Sequence, residues 1–283
     1  MRAEQLTAPC ATHGEGPVWD AAAGQLRWVD MLSGDVLTLD GAGAVTRAHV
    51  SGMVTALRPR AGGGLVVAVE RGFAVLDSGG AIVRQDAAFG DPACRMNDGG
   101  ADRQGRFLCG SMDYAMSEPR AALYRYDPDG TVSTVLTGVT LSNGIAWSVD
   151  GERMYYIDSV TQRVDVFDYD TASGTPADRR PLVRIDAASG LPDGLALDSE
   201  GGVWVALYGG QAVHRYGPDG RLDAVLELPV ARVTACAFGG PGLDDLYITT
   251  SRVEVAPGDQ PAAGALFLAR PSVRGLPCAV YAG

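Results

Sequence analysis

Short apolar segments recur along the chain at a nearly constant spacing. Each copy begins with a polar residue, continues into a short apolar stretch, and reaches a glycine about eight positions later before a second, strongly apolar stretch. The frame is clearest at Asp193, with Asp198 at the fifth position and Gly201 at the eighth. Successive copies lie 40 to 50 residues apart, close to the period of about 40–50 residues of a four-stranded propeller blade. The six leading polar residues are Glu15, Thr55, Asn97, Asn143, Asp193 and Thr234.

Each copy contains further strand signals that complete a blade. The second stretch is apolar on both faces, as at residues 65–69 and 203–207, which is typical of a sheet covered on both sides by neighbours. A third stretch alternates apolar and polar positions, as at 123–126, and a fourth follows a turn. The sixth copy lacks a fourth strand, which residues 4–8 could supply. We therefore predict one all-β domain over residues 1–283, a six-bladed β-propeller with four-stranded blades, closed by an N-terminal strand.

Composition and charge restrict the partners and the compartment. The formal charge of −11 disfavours nucleic acid and anionic membranes, since both repel a negative protein. The five cysteines are odd in number and form no C-x-x-C pair, which favours free thiols and a cytoplasmic location. We find no signal-peptide pattern at the N-terminus and no apolar run long enough to span a membrane. A monomer and a weak homo-oligomer both remain open.

The phase of the repeat predicts a polar cluster on the propeller axis. The first strand of each blade lines the central channel, so the residues preceding these strands converge: Glu15, Asn97, Asn143 and Asp193. Carboxylates that converge without a lysine nearby are costly unless a cation neutralises them. Oxygen donors suit Ca²⁺ best, with Mg²⁺, Mn²⁺, Zn²⁺ or Fe²⁺ as alternatives. The competing interpretation is that each Asn-Gly or Asp-Gly pair is an ordinary turn.

Arg95 is expected beside this cluster. It precedes Asn97 by two residues, and on an extended segment such residues point the same way. A guanidinium there could bind hydroxyls or a developing oxyanion, the alternative being a surface arginine. Asp98 is predicted to point the other way and cap a turn. Recurrence at the fifth position of the frame predicts a structural turn role for three aspartates: Asp20, Asp102 and Asp198.

Other catalytic schemes find little support in the sequence. There is no G-x-S-x-G elbow, no H-E-x-x-H, no P-loop and no dinucleotide-binding glycine motif. Cys94 has no evident histidine partner for nucleophilic catalysis. Of three isolated histidines, His13 alone stands near a predicted site residue, two positions before Glu15, and its contribution is left open.

The chain resembles the senescence marker protein (regucalcin), gluconolactonase and luciferin-regenerating enzyme family. Matching segments occur in the same order through nearly the whole sequence: GEGPVW at 14–19, RMNDG at 95–99, DRQGR at 102–106, SNG at 142–144, YYID at 155–158, VFDYD at 166–170, PDG at 192–194 and FGG at 238–240.

The resemblance implies a six-bladed propeller that hydrolyses a sugar lactone with one divalent ion. It implies that Glu15, Asn143 and Asp193 hold the ion, and that Arg95 and Asn97 contact the sugar. Animal members have a substrate-contacting glutamate shortly after a Gly-Thr-Met segment. Here residues 110–112 are followed by Asp113 and Tyr114, so that glutamate is missing. The sugar preference and the roles of Asp113 and Tyr114 therefore stay open.

The chemistry of these residues agrees with lactone hydrolysis. A divalent ion can polarise a lactone carbonyl, and Asp193 could act both as ligand and as the base that deprotonates water. The expected product is the aldonic acid. Two alternatives remain: a non-catalytic, metal-containing propeller acting as a binding scaffold, and an esterase of another ester class. Arg95 disfavours the scaffold, because a structural ion needs no exposed arginine beside it.

Overall fold

Six four-stranded antiparallel sheets make up the protein in a computed structural model that describes residues 1–256 and 258–283. Five sheets each come from one continuous stretch of chain, with strand order following the sequence. Their strands are β2–β5 (Gly14–Asp20, Gln25–Asp30, Asp35–Leu39, Val45–His49), β6–β9 (Val54–Pro59, Leu65–Val69, Gly72–Leu76, Ile82–Ala87), β10–β13 (Cys94–Ala101, Phe107–Asp113, Ala121–Tyr126, Val132–Val139), β14–β17 (Ser142–Trp147, Arg153–Asp158, Arg163–Asp170, Thr175–Arg184) and β18–β21 (Leu191–Leu197, Val203–Tyr208, Ala212–Tyr216, Leu222–Glu227).

The sixth sheet joins the two ends of the chain. It contains β22 (Val233–Gly239), β23 (Asp245–Thr250), β24 (Phe267–Ala269) and, outermost, β1 (Glu4–Gln5). Glu4 pairs with Leu268 and Gln5 with Phe267. The predicted closure by an N-terminal strand is therefore confirmed, with a strand shorter than the predicted residues 4–8.

The sheets form a ring around a central channel. Each innermost strand contacts the innermost strands of both neighbouring blades, and β22 contacts β2 to complete the circle. This is a six-bladed β-propeller, as the repeat predicts. We call the end of the channel where the innermost strands begin the upper end, and the end where they finish the lower end.

The hydrophobic core lies between the blades as six separate layers. Each cluster of buried apolar side chains draws on two adjacent blades, for example Trp204 in blade five with Phe238 in blade six. The second strand of every blade is therefore covered on both faces, as its apolar sequence indicates. At about 25 cal/mol per Å² of buried apolar surface, these layers are the main stabilising force of the ring.

The predicted aspartates at the fifth position of the frame hold the turns after the innermost strands. Asp198 Oδ1 accepts hydrogen bonds from the backbone N–H groups of Glu200 and Gly202, at 3.0 and 2.8 Å. Its Oδ2 accepts from Arg215 Nε at 2.7 Å and Trp204 Nε1 at 2.9 Å. Comparable carboxylate–arginine pairs recur in two other blades, Asp20 with Arg27 and Asp102 with Arg106. The structural role predicted for these three aspartates is confirmed.

A segment without a strand pattern crosses the lower end of the channel after β24. Gly275 N donates to Leu243 O at 2.8 Å, and Tyr281 N donates to Pro59 O at 2.8 Å on the other side of the ring. We call residues 275–282 the C-terminal strap. The repeat gives no indication of it, because its contacts are isolated bridges and side-chain packing rather than a sheet.

All five cysteines lie within the described residues and are free thiols. The described residues also form short 3₁₀ helices at Met31–Ser33, Ser159–Thr161 and Ala187–Ser189. None of the helices that the structure describes has the length and apolar character of a membrane span.

Candidate metal and lactone site

A break in strand pairing sets the position of every predicted site residue. In all six innermost strands the register with the second strand shifts at the leading polar residue of the repeat: between Glu15 and Val18, Val54 and Ala56, Met96 and Gly99, Ser142 and Ile145, Pro192 and Leu195, and Val233 and Ala235. A bulge of this kind frees residues from the ladder and re-aims their side chains. The upper end of the channel is therefore ringed by residues released from regular pairing.

The glycines after two of these residues serve close packing, not turns. Gly144 and Gly194 lie inside the innermost strands β14 and β18. A Cβ on Gly144 would stand 2.7 Å from Leu195 N, and one on Gly194 would stand 2.5 Å from the Cβ of Ala235. Because adjacent innermost strands crowd together near the axis, only glycine fits there. The interpretation of Asn143-Gly and Asp193-Gly as ordinary turns is thus wrong.

A chain of hydrogen bonds joins three blades at the upper end. Asn97 Nδ2 donates to Asn143 Oδ1 at 3.0 Å and to Ser142 O at 2.7 Å. Asn143 Nδ2 donates to Ser159 Oγ at 2.7 Å, and Ser159 Oγ donates to Pro192 O at 2.6 Å. The serine thereby fixes the amide of Asn143 with its oxygen toward Asn97, leaving that oxygen as the group able to bind a ligand.

Glu15 and Asp193 are buried without a charge-neutralising partner close by. They are 4% and 7% exposed. Among the described residues neither forms an ion pair with an arginine; His13 Nε2 lies 3.8 Å from Glu15 Oε1. Burial, together with the charge of Asp98, raises the pKa of Glu15, and burial with the charge of Glu15 raises the pKa of Asp193 well above its ordinary value. Such a pair favours a bound cation.

Asp98 does not simply cap a turn facing away from the site. The half-buried carboxylate accepts a hydrogen bond from Gly99 N at 2.6 Å, yet its charge also raises the pKa values of Glu15 and Asp193. The bulge between Met96 and Gly99 explains the difference, because the simple alternation of an extended strand ends there. Asp98 is therefore a third acidic side chain whose charge acts on Glu15 and Asp193.

Arg95 lies beside the cluster, as the sequence predicts. Its Nη1 donates to Asn97 Oδ1 at 2.8 Å, and its positive charge offsets part of the rise that burial causes in the pKa values of Glu15 and Asp193. The guanidinium carbon stands 5.9 Å from the centre of the Tyr114 ring. Tyr114, 44% exposed, donates its hydroxyl hydrogen to Glu70 Oε1 at 3.1 Å. An arginine and a partly exposed aromatic ring thus form one wall of the upper opening.

The two other residues left open by the sequence fall in different places. His13 lies at the site, next to Glu15, and its Nδ1 is 2.8 Å from Ser251 Oγ. Burial and the nearby Arg95 lower the pKa of His13 to about 4, so its ring is neutral at pH 7. Asp113 is a structural residue, since its Oδ2 accepts hydrogen bonds from the N–H groups of Ser117 and Glu118, both at 3.1 Å.

Two aspartates that the repeat does not mark position the site residues. Asp30 Oδ1 accepts from Thr12 N and His13 N, each at 3.0 Å, just before Glu15. Asp158 accepts from Thr140 N at 3.1 Å and Leu141 N at 3.0 Å, just before Asn143. Each is the last residue of the second strand of its blade, a shared position from which their role could have been found. They hold the loops that aim Glu15 and Asn143 into the channel.

The remaining leading positions complete the ring without adding charge. Thr234 Oγ1 donates to Gly14 O at 2.6 Å and so joins blade six to blade one. The buried hydroxyl of Thr55 has no hydrogen-bond partner among the described residues. The sequence also missed Tyr208, which lies near Asp193. Burial raises the pKa of the Tyr208 hydroxyl, and the charge of Asp193 adds to that rise.

The donor set at the upper end is made of oxygen atoms. Within the described part of the chain, no three His, Cys, Asp or Glu side chains form a metal-holding group. The predicted set instead combines the two buried carboxylates with the amide oxygen of Asn143. Hard cations such as Ca²⁺ and Mg²⁺ accept this combination readily and complete their shells with water. The residues present fit a divalent ion in chemical character and in charge.

Comparisons with known proteins agree with this architecture. The model of the SMP-30/Gluconolactonase/LRE-like region matches residues 13–252. The chain is 36% identical to regucalcin of Danio rerio, with 95% of each chain covered. It is 34% identical, with 96% of each chain covered, to YvrE of Bacillus subtilis, whose name assigns it provisionally to the sugar lactone lactonases. A crystal structure of a calcium-binding protein, regucalcin, from Agrobacterium tumefaciens superposes with a TM-score of 0.91 at 26% identity, covering 99% of this chain and 97% of that one. The chain therefore belongs to the SMP-30/gluconolactonase/LRE-like family.

Proposed function

We propose that this protein hydrolyses a sugar lactone to the corresponding aldonic acid with the help of one divalent metal ion. The observation that carries the proposal is the pair of buried, unneutralised carboxylates, Glu15 and Asp193, beside Arg95 at one end of the channel. Family membership supports the same class of reaction, since relatives are named as lactonases.

Glu15, Asn143 and Asp193 are the residues proposed to hold the ion. Ca²⁺ is the first candidate, in keeping with a structural relative described as calcium-binding, and Mg²⁺, Mn²⁺, Zn²⁺ and Fe²⁺ are the alternatives. When bound, the ion supplies Lewis-acid polarisation of the lactone carbonyl. Two negative charges from the ligands leave Asn143 as a neutral third donor whose orientation Ser159 fixes.

Asp193 is proposed to take the proton from the attacking water. It has no hydrogen-bond donor among the described side chains to occupy its oxygens, and it is buried in a channel that limits competition from bulk solvent. A carboxylate whose pKa is raised by burial is a better base near neutral pH than an exposed one. Asp193 takes this proton as the water oxygen attacks the carbonyl carbon, and it returns the proton to the ring oxygen as the ring C–O bond breaks, which releases the hydroxy acid.

Arg95 and Asn97 are proposed to orient the substrate. The Arg95 fork can bond two hydroxyl oxygens, or one hydroxyl and the developing oxyanion, in a fixed plane. The partly exposed ring of Tyr114 offers an apolar surface to the C–H groups of a sugar ring. This combination supplies positioning, which lowers the entropy cost of reaching the reactive geometry.

A panel of aldonolactones assayed after chelation and re-addition of single metal ions tests the proposal. We expect acid release from at least one lactone that disappears with chelator and returns with one divalent ion. Glu15→Gln should abolish the metal response, whereas Glu152→Gln, which changes an exposed carboxylate away from the channel, should leave it intact. Metal-independent hydrolysis, or no hydrolysis of any lactone or ester by metal-loaded protein, would contradict it.

A further inference from the structure

A second cavity lies at the lower end of the channel. Its volume is about 630 Å³, within the range of about 300–1,000 Å³ typical of small-molecule sites. The walls are the last residues of the innermost strands, and the C-terminal strap forms the remaining side, with Leu276 and Cys278 among its lining residues. The proposed lactone site uses the first residues of the same strands. The two spaces are thus at opposite ends of the propeller axis.

The lining combines flat apolar surface with charge of one sign. Three aromatic side chains, Trp19, Trp147 and Phe238, stand around small residues such as Ala196 and Ala237. The charged groups are only arginines, Arg58 and Arg103, and the lining contains no carboxylate. This is unusual in a chain with 34 acidic and 23 basic residues. The cavity is therefore positive in a protein that is negative as a whole.

Arg58 is half-buried in this cavity with little to neutralise it. Its Nη1 donates to Leu57 O at 2.6 Å, and no carboxylate in the described residues forms an ion pair with it. Burial raises the pKa of the Asp98 carboxyl, and the charge of Arg58 offsets part of that rise without an ion pair between the two side chains. The guanidinium thus keeps donors available for a ligand in the cavity.

Trp147, in the lining of the same cavity, has a hydrogen-bond donor without an acceptor in the described part of the chain. The side chain is 8% exposed, and its indole N–H has no hydrogen-bond partner among the described residues. In most proteins such a buried donor is satisfied by protein, water or ligand. Trp147 and Arg58 lie in the same lining, on different blades. Trp147 has no acceptor and Arg58 has only Leu57 O among the described residues, and an anionic ligand would supply further acceptors.

We propose that the lower cavity is a second ligand site, separate from the lactone site, for a small aromatic carboxylate. The carboxylate pairs with Arg58, and the flat apolar body lies among Trp19, Trp147 and Phe238 over the small residues of the innermost strands. Neither half of this chemistry suits a sugar lactone, which is neutral and polar on most faces.

Binding of 2-naphthoate, followed by calorimetry and by tryptophan fluorescence, tests the proposal on the full chain. We expect saturable binding of one molecule per chain, and at least tenfold weaker binding of the uncharged 2-naphthamide. Binding should persist in chelator and in the presence of a lactone that saturates the upper site. Absence of binding, equal affinity for the amide, or loss of binding on chelation would overturn the proposal.

Two variants locate the site. Arg58→Met should weaken 2-naphthoate binding at least tenfold, and Arg58→Lys should retain part of the affinity. Ala196→Leu fills the cavity from another wall and should abolish binding while the melting temperature and lactone hydrolysis stay near wild-type values. If both Arg58→Met and Ala196→Leu bind 2-naphthoate with wild-type affinity, the ligand binds elsewhere and the assignment is wrong. Lactonase activity is measured separately, so failure here leaves the proposed function untouched.

Discussion

Asp193 has two tasks in the proposed reaction, holding an ion and accepting a proton, and one substitution separates them. Asp193→Asn keeps an oxygen donor of similar shape but removes a charge and the ability to take a proton from water. We expect the ion to bind more weakly, and kcat at saturating metal to fall by about 10²–10⁴. Metal content by elemental analysis and turnover of the preferred lactone check both effects.

Asn143→Asp is the matched control for that change. It adds a negative charge in the same ring, so it should tighten the ion without supplying a missing base. If Asp193→Asn regained full activity with excess metal, Asp193 would be a ligand only, and the base would have to be sought elsewhere in the channel.

Arg95 is predicted to act through the shape of its donor fork and not through charge alone. Arg95→Lys keeps the charge but loses the two parallel hydrogen bonds, so kcat/KM should fall at least about tenfold, or 1.4 kcal/mol. Metal content should not change. Arg153→Lys makes the same chemical change at an exposed position and should have no effect. Wild-type kinetics for Arg95→Lys would remove Arg95 from substrate binding.

At the scale of elements, the sequence predicts the blades better than the details of their innermost strands. The repeat places Glu15, Asn143 and Asp193 at equivalent positions because the apolar spacing reflects burial between blades. The prediction for Asp98 is wrong because a bulge lies beside it. A bulge depends on how two strands pair, and the sequence pattern of a single strand does not contain that information. Ser159 and Tyr208 are missed for a related reason, since they reach the site through tertiary contacts.

The Asp198–Arg215 pair is predicted to stabilise blade five in a pH-dependent way. Burial alone would raise the pKa of Asp198, but the bonds from Arg215, Trp204 and Gly202 bring it below its usual value. Because the folded pKa is the lower one, the stabilisation is present above the unfolded value of about 3.9 and is lost as the pH falls through the folded value.

Asp198→Asn should therefore lower the free energy of unfolding by roughly 3 kcal/mol at pH 7, since it breaks a buried ion pair. The difference in free energy of unfolding between wild type and variant should shrink as the pH falls from 7 toward 3. Urea unfolding across this pH range measures it. Asp219→Asn, in an exposed turn, serves as the control and should have little effect at any pH. A difference in free energy of unfolding that does not change with pH would contradict the stabilising role of the Asp198 charge.

At the scale of the whole molecule, the proposed ion would join blades one, four and five. It should then stabilise the entire ring, by about 2.7 kcal/mol at a hundredfold excess over its Kd. Calorimetric melting with and without chelator measures this shift, which amounts to several degrees for a protein of this size. Melting that is unchanged by chelation of metal-loaded protein would contradict a site shared between blades.

The C-terminal strap marks the limit of prediction at this scale. Its sequence has neither the period of a blade nor the alternation of a strand, because its backbone is held by scattered bonds to several blades. The ring itself follows from the repeat, whereas the cavity that the strap helps to enclose does not.

The pairing of β1 with β24 also has a consequence for how the protein is made. Glu4 and its partner Leu268 are 264 residues apart, so β1 leaves the ribosome long before β24 exists. At about 5–20 residues per second the interval is on the order of tens of seconds. Blades one to five can form during this time, each from its own continuous stretch. The circle closes only after translation of β24, which makes blade six the last to assemble and the stage most exposed to chaperones and to mispairing between chains.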